Sequence, residues 1–185
     1  MRAFVAIDPP AAVRDALELV QDALPPGLGR LADPDQLHLT LAFLGERPDE
    51  EIEAAHEALE GLRHPAFTLA PGGLGTFGAR VPEVVWAGVR DAPSTQGNLA
   101  SLQAKVRSAL HGAGIVLERK RFRPHVTLAR LGRTEPAALE RLAAFLARWD
   151  AFPSPPWEVQ DLALWRSILR PSGAIHEELA RYRLG

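Results

Sequence analysis

The sequence predicts an α+β protein of two lobes, and three observations carry that reading. Short apolar, β-prone runs alternate with stretches of helical spacing. The runs are brief and unevenly spaced, unlike the regular succession of a doubly wound parallel sheet. One tetrapeptide also occurs twice: His38-Leu39-Thr40-Leu41 returns 87 positions later as His125-Val126-Thr127-Leu128, as an internal duplication would leave it.

Taken in order, residues 2–7 read as a short buried strand. Asp8-Pro9-Pro10 punctuates it, and residues 11–24 follow with helical spacing and proline well placed at the first turn. Pro25-Pro26-Gly27 closes that helix, and residues 36–44 form the strand of the first motif, ended by Gly45. Residues 49–62 are an amphipathic helix with Ile52, Ala55, Leu59 and Leu62 on one side. Residues 66–70 and 83–89 are strands around a Gly-rich connection, 71–78. Residues 94–111 form a helix with the stripe Leu99, Leu102, Val106 and Leu110, with Ser94 as N-cap and Gly112 as stop. Residues 124–131 carry the second motif, 135–149 a helix, and 157–167 and 175–184 the last strands. No linker of disorder-like composition divides the chain, so 1–185 is expected to be a single bilobed domain with a cleft between its sheets.

Composition narrows the function classes. Apolar residues make up 46% and charged residues 24%, as in soluble globular domains. A net charge of −2 gives no global sign of nucleic-acid binding. No apolar run approaches the length of a membrane span, and the N-terminus enters a strand with no signal-peptide pattern. Without cysteine there is no disulfide framework, no Cys-ligated zinc and no thiol nucleophile. These features point to the cytoplasm, and with no long apolar stripe left unassigned a monomer is expected.

In a strand, side chains alternate between faces, so His38 and Thr40 share one face, as do His125 and Thr127. Each copy thus presents an imidazole and a hydroxyl from a core-backed strand. Two histidines facing one phosphodiester can serve as base and acid, and two threonine hydroxyls can hold its non-bridging oxygens. Zinc is the other use of paired histidines, but there is no HExxH and no carboxylate within the motifs, so no metal or other cofactor is expected. The stretch Arg119, Lys120, Arg121, Arg123, Arg130 and Arg133 is basic, mostly as a solvated loop. Arg130 is the candidate phosphate ligand, although strict alternation from His125 puts it on the opposite face; it reaches the site only through a twist or bulge after Thr127. Strand parity assigns Phe4 and Phe43 to the core and leaves Trp86 and Phe122 as candidate base contacts. His56, His64, His111 and His176 are read as ordinary structural histidines.

At this point the chain resembles the 2H phosphoesterases, named for two His-x-Thr-x motifs, and within them the bacterial and archaeal RNA 2′,3′-cyclic phosphodiesterases, formerly called 2′-5′ RNA ligases. The resemblance runs through Arg2-Ala3-Phe4-Val5-Ala6-Ile7, Leu37 to Gly45, Val84-Val85-Trp86-Ala87-Gly88-Val89 and Phe122 to Arg130. It implies two pseudo-symmetric lobes, each a mainly antiparallel sheet with helices outside, and a metal-independent site in the cleft. It implies opening of a 2′,3′-cyclic phosphate to a 2′-phosphate, with His38 as proton donor, His125 as acceptor and Arg130 on the phosphate. The partners it implies are RNA ends or nucleotides carrying that cyclic phosphate, with reverse 2′-5′ ligation as a further activity. Two other readings stand beside it: a phosphodiesterase of a small nucleotide or ADP-ribose cyclic phosphate, and a non-catalytic nucleotide- or RNA-binding module.

Overall fold

The computed structural model describes residues 1–132, 135–171 and 173–185; Arg133 of the basic stretch lies outside them. The elements are β1 (Arg2–Ile7), α1 (Ala11–Asp22), β2 (Gly29–Leu31), β3 (Leu39–Glu46), α2 (Asp49–Glu60), β4 (Phe67–Phe77), β5 (Val84–Asp91), α3 (Asn98–Gly112), β6 (His125–Leu131), α4 (Pro136–Trp149), β7 (Trp157–Val159), β8 (Asp161–Arg170) and β9 (Gly173–Arg183). The strands join in the order β7-β4-β5-β6-β3-β1-β8-β9, with β2 on β6. Every pairing described is antiparallel. The protein is therefore α+β, and its sheet divides at the centre. The halves β7-β4-β5-β6 and β3-β1-β8-β9 meet where the two motif strands touch, through one pair, Leu39 opposite Val126.

Each half repeats strand, helix, motif strand, helix: β1-α1 through β3-α2, and β5-α3 through β6-α4. The apolar faces of all four helices share one core with alternate residues of the sheet. Val13, Leu17, Leu59, Leu102, Val106 and Leu142 pack with Val5, Ile7, Leu39, Val126 and Leu164. Burying such side chains is worth roughly 1.5–3 kcal/mol each, so register slips that would expose them are strongly disfavoured.

Several expected boundaries move. The Gly-rich segment 71–78 is largely strand, because β4 continues to Phe77 against β5. Its glycines admit the neighbouring strand: a Cβ on Gly75 would lie 2.3 Å from the Trp86 ring. Ser94 sits in a short 3-10 turn, Pro93–Thr95; Gly97 takes the cap position of α3 at φ 90, a left-handed conformation. The expected strand at 157–167 is two strands, β7 and β8, in opposite halves of the sheet, β7 at an edge and β8 between β1 and β9. Strand β2 is only three residues, all exposed, and has no apolar pattern to announce it.

Candidate active site

The site is built on the Leu39–Val126 pair. Both residues are 1% exposed and face the core. Alternation sends His38, Thr40, His125 and Thr127 to the other face, where all four are half-buried. The antiparallel sense sets His38 towards Thr127 and Thr40 towards His125. The result is a two-fold cluster of two imidazoles and two hydroxyls at the junction of the halves.

Both rings are oriented by the same local bond. His38 Nδ1–H donates to the Gln36 carbonyl at 2.8 Å, and His125 Nδ1–H to the Arg123 carbonyl at 2.6 Å. A carbonyl oxygen only accepts, so the proton is on Nδ1 and Nε2 is left for chemistry. For His38 the carbonyl is supplied by the 3-10 turn Pro34–Gln36, whose start Asp33 caps by accepting from the Asp35 N–H at 3.0 Å. Leu37, 3% exposed, anchors the turn to the core.

Burial, chiefly, pushes His38 down to about 4; the Gln36 carbonyl resists this, while the charges of His176, His125 and Arg130 add to it. Burial also holds His125 below its ordinary value, again with Arg130 adding. The two imidazoles and the Arg130 guanidinium thus feel one another electrostatically.

Arg130 reaches that company through a bulge. Between β5 and β6, Val85 pairs with Ala129 and Trp86 with Thr127, so Leu128 is an extra residue. Leu128 and Ala129 are consecutively buried, parity inverts, and exposed Arg130 emerges on the histidine face. The first motif strand does the same. Val5 pairs with Ala42 and Ala6 with Thr40, leaving Leu41 extra. The repeat is in fact eight residues long, His38-Leu39-Thr40-Leu41-Ala42-Phe43-Leu44-Gly45 against His125-Val126-Thr127-Leu128-Ala129-Arg130-Leu131-Gly132, and Phe43 occupies the place of Arg130.

The parity assignment of Phe4 and Phe43 to the core is accordingly corrected. Phe43 is 63% exposed. Phe4 is buried, but on the histidine side: its ring lies 4.7 Å from His38, 6.1 Å from Phe43 and 6.5 Å from Trp165. On the other flank, the Phe77 ring stands edge-on to His125 at 4.7 Å and Trp86 lies 6.3 Å away. Phe122 packs against the hydrophobic core.

His176 is the site-lining residue that sequence reasoning set aside. The hairpin of β8 and β9 brings its ring to 5.0 Å from His38 and 4.8 Å from Phe4, and its backbone N–H donates to Gln36 Oε1 at 3.0 Å. A cavity of about 290 Å³ opens there, lined by Phe4, Gln36, His38, Trp165, His176 and Arg14 among others. Of the other histidines, His56 meets the Tyr182 hydroxyl at 2.9 Å, and His64 is buried at 3%, with Nδ1–H donating to the Pro65 carbonyl. Among the described residues no three His, Cys, Asp or Glu side chains converge as a metal site, and a guanidinium whose charge is felt by both imidazoles suits an anion. No described helix is long and apolar enough to cross a membrane.

In sequence and fold the chain is similar to known proteins. An Archaeoglobus fulgidus RNA 2′,3′-cyclic phosphodiesterase is 31% identical over 181 residues, covering 97% of this chain and 98% of its own. A Thermus thermophilus protein of the same name is 35% identical, covering 100% and 90%. The apo crystal structure of Escherichia coli LigT aligns at TM-score 0.76 and 30% identity, over 99% of this chain and 96% of that one. LigT has also been crystallised with 3′-AMP and with phosphate. The family model for the 2′-5′ RNA ligase superfamily matches residues 8–169 and takes in both histidine strands. Fold and sequence agree across nearly the whole length, and the chain belongs to the 2′-5′ RNA ligase superfamily.

Proposed function

We propose that this chain is an RNA 2′,3′-cyclic phosphodiesterase that opens terminal cyclic phosphates to 2′-phosphomonoesters by metal-independent acid–base catalysis. The observation that carries the reading is the two-fold His–Thr cluster with both Nδ1 protons tied to carbonyls, which leaves two Nε2 atoms free beside the junction of the motif strands. His125 Nε2 takes a proton from the attacking water. The water oxygen bonds to phosphorus, the bond from phosphorus to the 3′ oxygen breaks, and His38 Nε2–H protonates that oxygen. Thr40 and Thr127 donate to the non-bridging oxygens, and Arg130 neutralises their charge. The terminal base stacks on exposed Phe43, while Trp86 and Phe77 line the side from which the nucleophile arrives. With a 5′-hydroxyl in place of water the same steps give a 2′-5′ linkage. The domain works as one unit over residues 1–185, as a monomer in the cytoplasm.

The test is release of 2′-phosphate from a cyclic-phosphate-ended oligonucleotide and from a cyclic mononucleotide, with EDTA present. Turnover in EDTA is expected, and His38→Ala or His125→Ala should each reduce it by roughly 10²–10⁴-fold. Thr40→Ala and Thr127→Ala should be milder. Activity lost in EDTA and restored by a divalent ion would overturn the mechanism. Turnover confined to small cyclic phosphates would replace the RNA substrate, and binding without turnover would leave a binding module.

A further inference from the structure

Among the described residues Gln21 is one of two buried polar side chains, at 2% exposure. It lies near the end of α1, far in sequence from the second motif, yet its Nε2 donates to the Leu128 carbonyl at 2.8 Å and to the Ala32 carbonyl at 2.8 Å. Leu128 is the extra residue of the bulge that turns Arg130. Its carbonyl also accepts from the Ala32 N–H at 2.8 Å, so the region is tied to the chain just past β2 as well. Gln103 of α3 repeats the device. Its Nε2 donates at 3.3 Å to the carbonyl of Leu41, the extra residue of the bulge that turns Phe43. The bonds cross the molecule: the helix following β1 holds the second motif strand, and the helix following β5 holds the first.

A bulge takes its extra residue out of the regular ladder, and a buried carbonyl without a donor costs roughly 1–3 kcal/mol. Gln21 supplies a donor at a cost of its own, since its Oε1 meets no partner among the described residues. An apolar side chain on α1 would avoid that cost but would leave the Ala32 carbonyl without this donor and the Leu128 carbonyl with one fewer. What the amide secures is a backbone conformation, and the side chain that conformation aims is Arg130.

We propose that Gln21 and Gln103 are positioning residues of the phosphodiesterase site, each holding through a leucine carbonyl the β-bulge that turns Arg130 or Phe43 onto the histidine face. The inference rests on the proposed function for its substrate and on the geometry for everything else. Gln21 acts on the phosphate through Arg130. Gln103 acts on the base through Phe43. The two braces therefore separate by ligand.

The experiment compares Gln21→Met and Gln103→Met with Arg130→Ala, Phe43→Ala and the two paired double variants. Affinity for inorganic phosphate is measured by calorimetry, and kcat and KM with a 2′,3′-cyclic nucleotide. Gln21→Met should weaken phosphate about tenfold, the scale of one lost charge-assisted contact, and raise KM with it. Adding Arg130→Ala should bring little beyond Arg130→Ala alone. Gln103→Met should raise KM for the nucleotide while phosphate affinity stays at the wild-type value, and should be non-additive with Phe43→Ala. Folded variants that melt earlier but keep phosphate affinity and KM would overturn the proposal and leave the glutamines purely structural. Because phosphate binding is read without turnover, an inactive wild-type protein would sink the functional reading while still testing the brace. If Gln21→Met fails to fold, side-chain amide exchange in the wild type decides: protected Gln21 Nε2 protons support the brace, and exchange at the rate of a free amide overturns it.

Discussion

His38 and His125 make the same bond to a backbone carbonyl, but His38 is the more strongly depressed of the two, at about 4. In the free protein at neutral pH both rings are neutral. In the proposed mechanism the acid acquires its proton as the anionic phosphate binds between them, since a nearby negative charge raises an imidazole. The kcat/KM profile reports the free enzyme, so its bell should centre below the ordinary imidazole value of about 6.5, while the kcat profile should lie at higher pH. Rates across pH 4–9 check this; a kcat/KM optimum above 7 would contradict it. The same burial couples to stability. Unfolded His38 titrates near 6.5 and folded His38 near 4, so between those values the unfolded chain takes up the proton first and stability falls as pH falls. The loss is on the order of 3 kcal/mol once pH is below 4. Melting temperatures at pH 7 and 4.5 should diverge less in His38→Gln than in the wild type.

The elements explain why local alternation located the motifs but misplaced residues five positions further on. His38 and His125 precede the bulges at Leu41 and Leu128, so parity holds for them and for both threonines. Phe43 and Arg130 follow the bulges, and parity fails for both. A bulge is a property of the pairing, set by β1, β5 and the two glutamines, and no window around the motif contains those partners. His176 was hidden for a related reason: a hairpin with its turn between β8 and β9 carries it back over Phe4, and nothing in residues 175–184 records the destination. The second half of β4 reads as a connection in the sequence because its glycines lack β propensity, but they are what admits Trp86. Gly75→Ala should therefore push the Trp86 ring against Phe77, 5.3 Å away, and through it disturb His125. Overpacking of this kind typically costs 1–3 kcal/mol, so the variant should melt several degrees lower and lose kcat. Wild-type melting and turnover would show that the ring has room to move.

At the scale of the whole molecule, the proposed mechanism asks two nearly identical half-sites for two opposite proton transfers. Duplication supplies the symmetric parts: the histidines, the threonines, the bulges and the glutamine braces. The asymmetry enters at the equivalent positions Phe43 and Arg130, and in the flanks, where Phe4, Trp165 and His176 surround His38 while Phe77 and Trp86 attend His125. A base-stacking group beside one half and a guanidinium in the other would hold the substrate in one orientation, so the leaving oxygen always faces His38. That assignment can be separated from the symmetric alternative by the leaving group. A 3′-deoxynucleoside 2′-(nitrophenyl phosphate) has no 3′-hydroxyl to cyclise, and water attack expels nitrophenolate, a weakly basic leaving group that needs no proton from an acid. On that substrate His38→Ala should recover most of its lost activity relative to wild type, whereas His125→Ala should remain impaired because water must still be deprotonated. Rescue of His125→Ala instead would reverse the two roles. Equal impairment of both variants on the activated substrate would show that neither histidine acts solely on the leaving group.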